Sequence, residues 1–292
     1  MNNVHLSIST DIFKNKIENK EIWIKFIKEK LGCDSFELSL DFFPFFIQEP
    51  FKSCQIEEFV ELCDTYEIQI THTYTGNSIR NFNLLLSPNL GLRLNSLKYF
   101  ETAIDITSGL DSYATGGFIG YFPLDAFGNK LLKSKNSVNK LEVINKYQEI
   151  IIDNLNYISN VAYNAGLDEF IIELVHFCDD LNKIFLFNKN IIEKLNQSSK
   201  IPINFSVFVS NKESLELIET ILKNISVIRF NDLTKLADLR SFIIKNYSLI
   251  SKESRNGLKI IFDYSEELTN IVSINQLFEN IEQKFLNIKR EI

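Results

Sequence analysis

Short apolar runs rich in β-formers alternate with longer amphipathic stretches from one end of the chain to the other, and this rhythm constrains the fold more than any single motif. The runs are Val4–Ser9, Phe36–Asp41, Ile68–Tyr74, Tyr113–Ile119, Glu169–Val175, Ile203–Val209, Ser226–Phe230 and Leu258–Phe262. Between them lie helical patterns at Glu21–Leu31, Ile56–Tyr66, Leu90–Leu110, Val138–Ala165, Asn190–Leu195, Lys212–Lys223, Lys235–Tyr247 and Ser265–Ile288. Strand and helix in strict alternation call for a parallel sheet with crossover helices. In the fourth pattern Leu141, Ile144, Tyr147, Ile151, Leu155 and Ile158 recur at helical spacing, a stripe suited to packing on the outside of a sheet.

A length of 292 residues suits one α/β barrel as well as two smaller domains. No Pro/Gly/Ser-rich linker and no repeat of fixed period interrupts the chain, so one domain over residues 1–292 is expected. The segment Tyr121–Ser137 is the long connection. It carries Pro123, Gly128 and several lysines and reads as an irregular loop, either a lid at a catalytic face or a passive surface loop.

Charge excludes some functions. With 31 basic against 38 acidic residues and a net charge of -7, the chain lacks the basic footprint of a nucleic-acid partner. No apolar run reaches the length of a membrane span, and Met1–Thr10 lacks a secretory pattern, which together point to the cytoplasm. Cys33, Cys54, Cys63 and Cys178 show no metal-binding or redox spacing and read as buried free thiols. Only His5, His72 and His176 are present, which excludes a multi-histidine metal centre. Neither GxxxxGK nor GxGxxG occurs, so nucleotide binding has no support.

Several strings, in order, resemble the xylose-isomerase-like sugar-phosphate isomerases and epimerases, and most of all the D-erythrulose 1-phosphate 3-epimerase branch. Thr71-His72-Thr73-Tyr74-Thr75-Gly76 is similar to that branch's HSTFTG, and Asn83-Leu84-Leu85-Leu86-Ser87-Pro88 to its NLLLHP. Thr115-Gly116-Gly117 resembles the start of a TGGH string. Ala103-Ile104-Asp105, Leu38-Ser39-Leu40-Asp41, Gly166-Leu167 and Ile171-Ile172-Glu173 continue the series over nearly the whole chain. The resemblance implies a single (β/α)8 TIM barrel acting on a small ketose phosphate.

In that family a divalent cation (Mn, Mg or Zn) is held by a Glu, an Asp, a His and a second Glu at the strand ends. The cation polarises the carbonyl, and the two glutamates move the proton. Carried onto this chain, the first Glu falls on Glu173, the Asp on Phe208, the His on Arg229 and the second Glu on Ile261, with Asp263 as the nearest carboxylate. The histidine of the family's strand-six string falls on Asn211, the one after its TGG string on Phe118, and a pocket Arg on Asp179. A guanidinium repels a cation and offers no lone pair. The resemblance therefore implies a site without a resident metal, in which Arg229 serves as the counter-charge of Glu173.

On this reading Glu173 is the catalytic base. Arg229 is the electrophile or a phosphate clamp, and His72, Asn83, Asp41, Gly116 and Gly117 meet the substrate. Each has a plainer alternative: a hydrogen-bonded core histidine for His72, a capping role for Asp41, tight strand packing for the glycines. The expected partner is a small-molecule sugar phosphate, with no cofactor, no nucleic acid, no membrane, and room for a homo-oligomer. Two functions stay open at this point: an isomerase or epimerase with weakened or altered catalysis, and a non-catalytic sugar-phosphate-binding or regulatory paralogue.

Overall fold

The computed structural model describes residues 4–14, 16–43, 47–76, 78, 84–87, 89–120, 137–174, 189–208, 222–230, 241, 245, 258–263 and 273–291. Eight strands run through them: β1 Val4–Ile8, β2 Ser35–Ser39, β3 Gln69–Tyr74, β4 Ala114–Phe118, β5 Glu169–Leu174, β6 Ile203–Phe208, β7 Ile225–Phe230 and β8 Leu258–Phe262. Neighbours pair in parallel from β2 round to β8, and β8 pairs with β1. The last gap, between β1 and β2, is spanned by a bridge from Ser9 to Glu37. Ser7 Oγ adds a bond to Ser35 O at 2.9 Å, and Ser39 N one to Thr10 Oγ1 at 2.9 Å. The result is a (β/α)8 barrel.

Among the described residues the helices are α1 Lys20–Lys25, α2 Phe51–Thr65, α3 Leu90–Gly109, α4 Ser137–Asn164, α5 Lys189–Ser198 and α6 Ile274–Glu291. α1 widens into a π-turn over Phe26–Lys30. Caps fix several starts; Asn19 Oδ1 accepts from Glu21 N at 2.9 Å and Asn89 Oδ1 from Leu92 N at 3.2 Å. The expected helix from Ser265 needs correction, because Ser273 lies outside α6 and its Oγ accepts from Gln276 N at 3.2 Å, which makes it a cap. Of the expected Lys212–Lys223 helix, the described end is a 3₁₀ turn over Leu222–Asn224.

Because strand side chains alternate, one set of residues faces the helices and the other the barrel interior. Phe170, Ile172, Ile228, Phe230, Ile260 and Phe262 belong to the outer core, where they meet Phe285 and Ile288 of α6 and Ile151, Leu155 and Ile158 of α4. Those last three are the described part of the stripe seen in the sequence. Inside, Ala114, Ile171, Val227 and Ile261 form a separate apolar cluster. Cys33 and Cys63 are buried as expected. Cys54 is exposed, because it lies on the solvent face of α2, and Cys178 falls outside the described residues.

The interior is charged on either side of that apolar cluster. Towards the strand starts, Lys259 Nζ lies 3.5 Å from Glu169 Oε2 and 4.9 Å from the Tyr113 ring centre, and Asn204 Nδ2 donates to Glu169 Oε1 at 2.6 Å. Burial pushes the Glu169 carboxyl up, but Lys259 and then Asn204 outweigh it and hold it below the usual range. The other group, towards the strand ends, stands at the face where such barrels build their sites.

Candidate active site

Arg229 organises the upper group. It sits on β7 between Ile228 and Phe230, which face the helices, so its side chain must enter the barrel. It is 1 % exposed, and a guanidinium buried that deeply requires partners. Nη1 donates to Glu37 Oε1 at 2.7 Å, Nη2 donates to Glu37 Oε2, and Nε donates to Ser206 Oγ at 3.0 Å. Glu173 Oε1 lies 3.5 Å from Nε, and Asp263 Oδ2 lies 3.7 Å from Nη1. Tyr74 places its ring 4.6 Å from the guanidinium carbon, a cation–π contact.

The counter-charge expected for Glu173 is thus at hand, but the bidentate partner of Arg229 is Glu37. That glutamate was missed in the sequence, although Phe36, Leu38 and Leu40 on its flanks are core residues and leave it pointing inward. Burial alone would push its carboxyl up; the Arg229 charge and then His72 overcome this and bring it down to about 2. Glu37 is therefore an ionised, fully buried carboxylate at neutral pH.

His72 enters from β3 opposite Glu37, its register partner. Its Nε2 lies 2.7 Å from Glu37 Oε2, close but off the line of a good hydrogen bond, and Nδ1 lies 3.2 Å from Thr71 Oγ1. Burial pushes its pKa down, with Glu37 opposing, so the ring is neutral at physiological pH. His72 therefore shares a charge network with Arg229 through Glu37.

The other expected site residues fall in different places. Asp41 follows β2 in a short 3₁₀ turn whose Ser39 cap accepts from the Asp41 N–H at 3.4 Å. Its carboxylate accepts from Lys14 Nζ, from Ser78 Oγ, and from Ser78 N at 3.2 Å. It ties the β1 and β3 exits together. A Cβ at Gly116 would fall 1.9 Å from the carbonyl oxygen of Ile171, and one at Gly117, where φ is +153°, 1.9 Å from Thr75 Oγ1. Close strand packing leaves no room for a side chain at either position. Asn83, His176, Asp179 and Asn211 lie outside the described residues. Phe118 is buried against Leu84, Phe208 sits on β6 as the register partner of Arg229, and Ile261 belongs to the inner apolar cluster.

A divalent cation does not fit this donor set. The centre of the carboxylates is filled by a permanent positive charge, 3.5 Å from Glu173 and 3.7 Å from Asp263, and a second cation there would meet strong repulsion at low dielectric. Among the described residues no three His, Cys, Asp or Glu side chains are arranged to hold a metal. Asp263, the carboxylate that a two-residue slip on β8 would bring to the family's last ligand position, is turned to Arg229.

Solved structures share this architecture over nearly the full chain. A Rhodospirillum rubrum protein named for xylose isomerase matches with a TM-score of 0.78 at 14% identity, covering 98% of this chain and 99% of its own. The shared fold is the (β/α)8 barrel. D-psicose 3-epimerase of Clostridium cellulolyticum, solved with D-tagatose, matches at TM-score 0.63 and 14% identity over 98% of both chains. The Escherichia coli 3-keto-D-glucoside 4-epimerase matches at 0.64 and 13% over 97% and 99%. No family model and no curated protein matches the sequence. At these identities the likeness establishes the barrel and leaves the chemistry to the residues.

Proposed function

We propose that this barrel recognises a small ketose phosphate, of four carbons, and moves a proton at the carbon beside its carbonyl without a resident metal. The observation that carries the reading is Glu173: a carboxylate 4 % exposed, at the C-terminal end of β5, with the Arg229 Nε 3.5 Å away. Taking a proton from such a carbon needs a base within reach and a positive centre for the enediolate oxygen. Glu173 supplies the first. Arg229 supplies the second through its field, since both of its terminal nitrogens are engaged by Glu37 and no fork is left to clamp a phosphate.

Abstraction leaves the C–H electron pair as an enediolate and the proton on Glu173; forming the epimer then takes delivery of a proton to the opposite face by a second acid. His72, Asn83 and the Gly116-Gly117 edge are the proposed substrate contacts. A guanidinium already bound to a carboxylate polarises a carbonyl less than a bare cation would. A shortfall of about 4 kcal/mol slows the step roughly a thousandfold, which is the weakened catalysis expected of the chain. We place the protein in the cytoplasm, with no nucleic-acid or membrane partner; among the described residues no helix is long and apolar enough to cross a membrane.

The engaged Arg229 fork also favours a second reading, a non-catalytic sugar-phosphate-binding or regulatory paralogue. An epimerase assay on D-erythrulose 1-phosphate, with and without manganese, separates the two. Metal-independent turnover that disappears in Glu173→Gln establishes the enzyme, and binding without turnover establishes the paralogue.

A further inference from the structure

Ser206 stands between the two groups that the proposed chemistry uses. Phe205 and Val207 on its flanks belong to the outer core, so its side chain enters the barrel, where it is 1 % exposed. It is the register partner of Glu173 on β5, which sets the hydroxyl and the carboxylate side by side. Two residues further along β6, Phe208 is the register partner of Arg229, so the guanidinium reaches both. With the fork of Nη1 and Nη2 held by Glu37, the group that meets Ser206 and Glu173 is Nε, which carries a single hydrogen. Nε donates it to Ser206 Oγ at 3.0 Å. Glu173 Oε1 lies 3.5 Å from the same nitrogen, farther than a well-formed N–H···O bond reaches.

One N–H cannot serve two acceptors well, and the two choices differ in chemistry. A charged hydrogen bond from Arg229 would hold the Glu173 oxygen and favour its ionised form, which makes a carboxylate a poorer proton acceptor. A serine acceptor leaves the positive field in place without that bond on the carboxylate. We infer that Ser206 is a positioning residue: its hydroxyl occupies the Arg229 Nε–H, so that Arg229 acts on Glu173 through charge and not through a hydrogen bond, which preserves Glu173 as a proton acceptor. Glu37 does the same for the fork, and no atom of Ser206 touches the substrate. The proton-acceptor half of this inference rests on the proton-transfer reading of the site; the hydrogen-bond half does not.

Nitrogen-15 NMR of the arginine Nε–H groups on the full chain tests the hydrogen-bond half, the buried Arg229 signal being picked out by its slow exchange with solvent. In Ser206→Ala the Nε–H should turn to Glu173, so its proton resonance moves downfield, and adding Glu173→Gln to that variant should move it back. Ser206→Cys, whose thiol fills the same space but accepts hydrogen bonds weakly, should behave alike and serves if the alanine variant does not fold. A resonance that ignores Glu173→Gln in both backgrounds overturns the inference. Turnover of D-erythrulose 1-phosphate tests the proton-acceptor half. In the Ser206 variants kcat should fall about tenfold with KM unchanged, as for an interaction that acts on the proton transfer alone. An unchanged kcat overturns the role at Glu173. Absence of turnover in the native chain overturns the proton-transfer reading, and the hydrogen-bond half then stands or falls by the NMR result.

Discussion

Arg229 and Glu37, 192 residues apart in sequence, meet inside the barrel as a two-pronged ion pair with neither partner more than 1 % exposed. Removing either half should be far more harmful than removing both. Glu37→Gln leaves a guanidinium without its main counter-charge, at a cost of about 3–5 kcal/mol, whereas replacing the pair by Leu and Met should cost much less. Denaturant unfolding of the two singles and the double, read as a mutant cycle, checks this; additive losses would show that the pair is not coupled.

Acid should expose the same pair. The Glu37 carboxyl, at about 2 in the fold against an ordinary 4.5, contributes stability that is complete above pH 4.5 and is lost as pH falls towards 2. The contribution is on the order of 3 kcal/mol. Thermal melts between pH 5 and 2 should steepen in this window, and the excess slope should be missing from the Glu37/Arg229 double variant.

Asp11 has the opposite sign. Its folded pKa is raised, so its contribution is complete below about pH 4 and disappears as pH rises through about 7. The stability of Asp11→Asn relative to the native chain should therefore rise between pH 5 and pH 8, by a margin on the order of 2–4 kcal/mol. Parallel melting curves at both pH values would contradict the prediction.

If Arg229 is what keeps a cation out, Arg229→His should let one in. The variant places an imidazole beside Glu173 and Asp263, both within 4 Å of the present guanidinium. Cobalt added to it should give visible d–d absorption that the native chain lacks. A native chain that binds cobalt equally well would refute the exclusion.

Gly116→Ala should be among the most damaging single changes, because its Cβ would lie 1.9 Å from a backbone oxygen of β5 that cannot swing aside. A loss above about 3 kcal/mol is expected, from strand displacement and overpacking. Circular dichroism melts measure it directly.

Much of the barrel was legible because period-two apolar runs such as Phe36, Leu38 and Leu40 carry their own direction, and β8 matches its expected bounds of Leu258–Phe262. Glu173 and Arg229 were reached through the family resemblance, and each also interrupts an apolar strand, Ile171-Ile172 on one side and Ile228-Phe230 on the other. Glu37 interrupts β2 in the same way and was legible in principle; attention went instead to the strand's end. Asp11 was not legible. Its burial and its want of partners arise from β3 and β8, more than sixty and two hundred and fifty residues away, and no local pattern announces a carboxyl left over when the nearby cations are engaged.

Strand ladders stitch the barrel, shortest between β3 and β4, where only Thr73 and Tyr74 pair, and between β1 and β2 one bridge, Ser9 to Glu37, spans the gap. Two groups at that join titrate out of the ordinary, Asp11 at the exit of β1 and Glu37 within β2. A change of protonation there acts on the least-secured edge of the cylinder, so the molecule should breathe along this line before anywhere else, and acidity rather than temperature should set how wide it opens.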